Sequence, residues 1–295
     1  MLPVPHTAPA QPPGSMAGGA PLRVRSALAN LRRDPSHAAE LVSQLVLGEP
    51  ATELERRDGW VRVAGRDGYP GWVDAGALAR AQARESGPEL VWLRRDGVLR
   101  ARPECGSSPL CDLTLGARAA AAGGAPDRTR GGALEVLLPD GTRGWAEAAG
   151  WAEAGDLPRL RPREGRAVVE TALSLRGAPY LWGGTSSKAL DCSGLVQRVF
   201  ELHGVPLPRD AWQQAGEGVE VDPGPGGSRL EAGDLLLFAE GGTRVTHVAL
   251  ALGQSGRFVH SSTRRAGVGV DGLDPSDPLH APALSRTAVA FRRVL

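Results

Sequence analysis

Almost nothing in this chain points to a membrane, to nucleic acid or to a disulfide-stapled exterior. It has no run of about 18 apolar residues, the length a bilayer-spanning helix needs. Its 34 Lys and Arg are matched by 33 Asp and Glu, so no polybasic footprint suggests DNA or an anionic membrane as a partner. Cysteine is scarce: Cys105, Cys111 and Cys192 are too few for a disulfide framework. Cys105 and Cys111 flank GSSPL and would close a small loop if their backbones come within reach. No CxxC or HxxxH spacing offers a structural zinc site, and no metal or cofactor is expected. Residues 1–21, rich in Pro, Gly and Ala, lack the charged start and apolar run of a secretory signal. They read as a disordered tail, and a cytoplasmic location is the expectation.

What is present is ordinary globular material, 41% apolar and 23% charged, in a length that suits two or three domains. An internal repeat fills the first half. GWVRVAGRDGYPGWVDAGAL from Gly59 aligns with GALEVLLPDGTRGWAEAAGW from Gly132, 73 residues on. LVLGE from Leu45 aligns with LTLGA from Leu113, 68 residues on, so the second copy carries about five extra residues in the Gly-rich stretch AAGGAPDRTRGG. Short alternating apolar runs broken by Asp-Gly turns predict a small all-β barrel in each copy, over 22–82 and 86–156. Both patterns resemble bacterial SH3-like domains. After DLPRLRPREG the character changes. AVVETALSL and DCSGLVQRVFELHG predict helices, and DLLLF, VTHVALAL, RFVHSS and TAVAFRRVL predict strands, an α+β domain over 163–295.

Cys192 stands immediately before an apolar helical pattern, with Leu195/Val199 and Val196/Phe200 as i, i+4 pairs. Asp191 suits the N-cap. A thiol at a helix N-terminus feels the positive end of the dipole, which should lower its pKa. Such a nucleophile needs a base. His247 alternates with Val245 and Ala249 on one predicted strand, and His260 follows Val259 on the next. A two-residue loop at Gln254-Ser255 would set His260 opposite Ala249, on the same face as His247. A three-residue loop would put the two rings on opposite faces. One His as base and a second orienting it is the Cys–His–polar logic of papain-like enzymes.

The order GAPYLWGGTSSKALDCSGLVQ, GDLLLF, THVALALG and FVHSS resembles the NlpC/P60 cysteine peptidases across the whole C-terminal part. The resemblance implies a papain-like fold with Cys192 as nucleophile, His247 as base and His260 as the residue that orients it. Tyr180 matches the tyrosine that helps the Cys192 N–H stabilise the oxyanion.

The chain has two tyrosines, Tyr180 and Tyr69. The second repeat has Thr142 in place of Tyr69 and Ala117 in place of Glu49, so this polar pair is confined to the first copy. ANLRRDPSHAAELVSQLVLGE resembles the first SH3-like domain of the NlpC/P60 subgroup that acts on released wall peptides. There a tyrosine and an acidic residue bind the free amine of L-Ala-γ-D-Glu; the matching positions are Tyr69 and Glu49. Asp191 and Ser193 match further substrate contacts. So do Arg209 and Asp210, with Arg suited to the free α-carboxylate of γ-linked D-Glu. Asp210 also suits the N-cap of an AWQQA helix. The implied reaction is hydrolysis of the γ-D-Glu–diamino acid bond in murein-derived peptides with a free N-terminal L-Ala. The rivals are a lytic endopeptidase or an amidase acting on intact wall, with the barrels as anchors, and a non-catalytic binding module.

Overall fold

The computed structural model describes residues 21–80, 87–123, 132–253 and 255–295. The expected tail, apart from Pro21, lies outside the described residues, as do Gln254 and most of the Gly-rich insertion. Among the described residues no helix is long and apolar enough to cross a membrane.

The first barrel contains β1 (Pro21–Val24), β2 (Leu28–Arg32), β3 (Leu41–Val46), β4 (Pro50–Arg57), β5 (Trp60–Ala64), β6 (Pro70–Asp74) and β7 (Leu78–Arg80). They pair in the order β3-β2-β6-β5-β4-β1-β7. Period two sets the faces: Val61 and Val63 are buried while Trp60 and Arg62 are half-buried. The β4–β5 hairpin turns at Asp58-Gly59, both with positive φ (46° and 81°), as a tight Asp-Gly turn requires.

The second barrel contains β8 (Glu89–Trp92), β9 (Asp96–Arg100), β10 (Pro109–Thr114), β11 (Arg118–Ala121), β12 (Ala133–Leu137), β13 (Arg143–Glu147) and β14 (Trp151–Glu153). Its order, β10-β9-β13-β12-β11-β8-β14, repeats the first. Strands β8 to β11 begin 68 residues after their counterparts and β12 to β14 begin 73 after, so the insertion falls between β11 and β12. Cys105 and Cys111 are free thiols, and the loop between them is not closed by a disulfide.

A short helix α1 (Leu157–Leu160) leads into the third domain. Helix α2 (Gly165–Ser174), the two-stranded ribbon β15 (Thr185–Ser186) and β16 (Ala189–Leu190), helix α3 (Cys192–Leu202) and helix α4 (Ala211–Gln214) come first. A six-stranded antiparallel sheet follows: β17 (Val219–Glu220), β18 (Leu235–Phe238), β19 (His247–Ala251), β20 (Arg257–Ser262), β21 (Gly267–Gly272) and, after α5 (Pro282–Thr287), β22 (Ala288–Arg293). Its order is β17-β22-β18-β19-β20-β21. This is the expected α+β arrangement. Leu195, Val196, Val199 and Phe200 of α3 are all fully buried and pack toward α2 and the sheet.

The two barrels dock differently. Val91, Leu93, Leu115 and Ala152 of the second belong to the same hydrophobic core as α2, α3 and the sheet. The first barrel meets the third domain through polar groups. Gln44 of β3 accepts from the Thr185 hydroxyl at 2.8 Å through its backbone oxygen, and Asp67 accepts from Gln197 of α3 at 2.8 Å.

Candidate active site

Cys192 opens α3, and Asp191 caps it. The Asp191 carboxylate accepts from the Gly194 N–H at 2.7 Å and from the Gly183 N–H at 2.9 Å, tying the helix start to the approach loop. Close backbone approach dictates both glycines. A Cβ on Gly194 would lie 2.1 Å from the Gly184 carbonyl oxygen. One on Gly183, whose φ is +78°, would lie 2.4 Å from the Leu41 carbonyl oxygen of the first barrel.

The N–H groups of Ser193 and of Val248, the neighbour of His247 on β19, favour the charged form of the thiol. Cys192 is 8% exposed. The expected lowering of its pKa is overturned here. Burial is the largest influence and, with the Asp191 charge, pushes Cys192 up to about 12; the two N–H groups and Arg209 pull the other way and lose. The helix N-terminus does act on the sulfur, but less strongly than desolvation.

Pairs Leu250–Val259 and Ala251–Phe258 set β19 against β20 in the register of the two-residue loop. His247 Nε2 lies 2.8 Å from His260 Nδ1. A third partner, not expected from the sequence, completes the relay. His260 Nε2 lies 3.0 Å from Asp271 Oδ2 on β21. A carboxylate only accepts, so His260 carries its proton on Nε2 and accepts from His247 Nε2–H on Nδ1. The nitrogen of His247 left with a free lone pair is therefore Nδ1. Burial raises the Asp271 pKa, but hydrogen bonds from His260 and Arg265 outweigh it and hold the carboxyl at about 2. Burial lowers His247 to about 3, with His260 adding to the effect and Asp271 opposing it. The resting site thus holds a neutral thiol and a neutral imidazole backed by an ionised carboxylate. Tyr180 is half-buried, and burial first, then the neighbouring Cys192 and Asp191, raise its pKa, so its hydroxyl keeps its proton.

The residues expected to touch substrate divide into two groups. Arg209 is 3% exposed and spends both terminal nitrogens on Asp191, at 3.1 and 2.5 Å, and one of them also on the Ser193 hydroxyl at 2.8 Å. With both terminal nitrogens committed and Nε buried without a partner, it offers no exposed charge to a substrate carboxylate, which corrects that expectation; Arg209 and Asp191 instead brace the start of α3. Glu49 is corrected likewise. It is 3% exposed, its Oε1 lies 2.5 Å from Arg198 Nη1 of α3, and its Oε2 accepts from the Val46 N–H, so no substrate amine reaches it. The carboxylate beside Tyr69 is Asp210, whose Oδ1 accepts from the Tyr69 hydroxyl at 3.4 Å across the domain boundary. Asp210 also begins α4, where its N–H donates to Gln213 Oε1 at 3.1 Å. Its Oδ2 accepts from Trp212 Nε1 at 3.2 Å. Trp182, 51% exposed, donates to Glu40 of the first barrel at 2.8 Å. Neither tryptophan was singled out from sequence. Among the described residues no group of three or more His, Cys, Asp or Glu is arranged to hold a metal ion.

Residues 177–281 match the model of the NlpC/P60 family, and residues 31–78 match that of the bacterial dipeptidyl-peptidase SH3 domain. The C-terminal domain belongs to the NlpC/P60 family. The NlpC/P60 domain makes this chain a cysteine peptidase, with the SH3 domain of the dipeptidyl-peptidase type placed before it. A gamma-D-glutamyl-L-lysine dipeptidyl-peptidase of Bacillus cereus is 27% identical over 276 residues, 88% of this chain and 77% of that protein. Dipeptidyl-peptidase 6 of Lysinibacillus sphaericus is 28% identical over 288 residues, 90% of this chain and 96% of that one. A solved NlpC/P60 family protein from Bacillus cereus superposes with a TM-score of 0.77 at 22% identity, covering 94% of this chain and all of that chain, a likeness of fold.

Proposed function

We propose that this peptidase hydrolyses the γ-D-glutamyl–diamino acid bond of murein-derived peptides whose N-terminal L-Ala is free, releasing L-Ala-γ-D-Glu. The observation that carries the reading is the Tyr69–Asp210 hydrogen bond. It sets a phenol and a carboxylate from two domains together, and Arg209 links that carboxylate's neighbourhood to Asp191 beside the nucleophile. A carboxylate there suits an ammonium group and gives nothing to an acylated amine. The names of the two dipeptidyl-peptidase relatives, which align along most of this chain, support the same class of substrate.

In this reading His247 Nδ1 takes the Cys192 proton as the sulfur attacks the γ-carbonyl carbon. The Cys192 N–H, at the first position of α3 and so without an intrahelical acceptor, and the Tyr180 hydroxyl meet the developing oxyanion. The imidazolium is stabilised through His260 by Asp271 and then protonates the leaving amine. Water, deprotonated by the same nitrogen, resolves the thioester and restores the thiol. Asp271 enters this scheme as a residue that positions His260 rather than one that touches substrate.

The test is product analysis. Incubation with L-Ala-γ-D-Glu-L-Lys or its diaminopimelate counterpart should yield L-Ala-γ-D-Glu and the free diamino acid, and Cys192→Ala should yield neither. Intact peptide after exposure to the wild type, or cleavage at the L-Ala–D-Glu bond, would sink the reading.

A further inference from the structure

We propose that Arg244 reads the free α-carboxylate of the γ-linked D-glutamyl group and so determines specificity; this rests on the function proposed above. That substrate presents an anion between its amine and its scissile bond, and the arginine expected to meet it, Arg209, is sealed into the Asp191 pair. Arg33 of the first barrel is engaged with Glu40 at 2.7 Å. Arg244 is exposed and forms no ion pair among the described residues. Its guanidinium carbon lies 4.8 Å from the ring centroid of Trp212. Stacking on an aromatic face holds the planar fork in place while leaving its N–H edge free for a bidentate carboxylate.

Its place in the groove follows from its neighbours. Trp212 donates to Asp210, the carboxylate that holds Tyr69, so the cation stands on the side where the peptide amine binds. Arg244 belongs to the segment 239–246 that joins β18 to β19, is exposed over 240–244 and runs directly into His247. The segment thus runs from Trp212 to His247. With the L-Ala amine at Tyr69–Asp210 and the γ-carbonyl at Cys192, the α-carboxylate branches from the chain between those two points. Gly241, at φ +85°, and Gly242 give the segment the freedom to bring Arg244 onto it.

The experiment compares kcat/KM of wild type, Arg244→Gln and Arg244→Lys on L-Ala-γ-D-Glu-diamino acid and on the D-isoglutamine peptide, in which an amide replaces that carboxylate. Wild type should prefer the carboxylate peptide by about tenfold or more, the worth of one charge-assisted contact. Arg244→Gln should lose most of that preference by slowing on the carboxylate peptide alone, and Arg244→Lys should keep part of it. An unchanged preference in Arg244→Gln, or an equal loss on both peptides, would overturn the proposal. So would a change confined to the ratio between lysine and diaminopimelate peptides, which would put the cation against the leaving group. If wild type cuts neither peptide, the proposed function fails and takes this assignment with it.

Discussion

Cys192 and His247 are each buried where the other's proton decides their charge. Desolvation holds the thiol near 12 and the imidazole near 3, so across the neutral range neither is charged in the empty groove. In the proposed mechanism activation is then proton transfer to His247 Nδ1 at the moment of attack, with the ionised Asp271 carboxylate stabilising the imidazolium through His260. A pH profile checks this. Alkylation of Cys192 by iodoacetamide without substrate should rise steadily from neutral to alkaline pH, since the thiolate fraction grows up to a pKa of about 12. A plateau reached below about pH 7 would mean a preformed thiolate–imidazolium pair. Cys192, His247 and His260 were legible because strand parity and a short loop fix which side chains share a face. The signal for Asp271 was also in the sequence. His260 pairs with Gly269 across β20–β21, and Asp271, two residues on, shares that face. GVGVDG was not read as a strand, since its apolar residues are only two valines. The commitment of Arg209 was not legible, because a buried Asp–Arg pair depends on how a loop 18 residues away returns to the helix.

At the scale of the element, α3 is both the seat of the nucleophile and the place where the domains meet. Its apolar stripe was readable from i, i+4 spacing. Its polar face was not, because those partners come from far along the chain. Arg198 is 5% exposed and binds Glu49 of the first barrel, Glu201 one turn on at 2.9 Å and the Thr185 carbonyl at 3.0 Å. Ala117 stands at the corresponding place in the second copy and has no charge to pair with Arg198. The difference between the repeats thus marks a position with a special task, and in the structure Glu49 clamps α3. Removing one partner of a buried pair strands the other charge. Glu49→Ala should accordingly cost about 3 kcal/mol in denaturant unfolding. A loss under about 1 kcal/mol, the worth of an exposed pair, would show that the clamp contributes little.

For the molecule as a whole, the division of labour between the barrels follows from how each is joined on. Strand positions in both were legible from the offsets of 68 and 73, because Asp-Gly turns and alternation repeat with the fold. Docking was not, since it rests on side chains that no local pattern pairs. The second barrel contributes to the hydrophobic core of the peptidase domain and supports it. The first barrel is attached through hydrogen bonds and ion pairs and brings Tyr69 to Asp210. In the proposed function that pair meets the free end of the peptide. The most direct measurement is the ratio of kcat/KM for L-Ala-γ-D-Glu-diamino acid to that for the same peptide N-acetylated. A preference for the free amine of about a hundredfold or more is expected, because acylation removes the charge that meets Asp210 and adds bulk against Tyr69. Equal cleavage of the two peptides would contradict it.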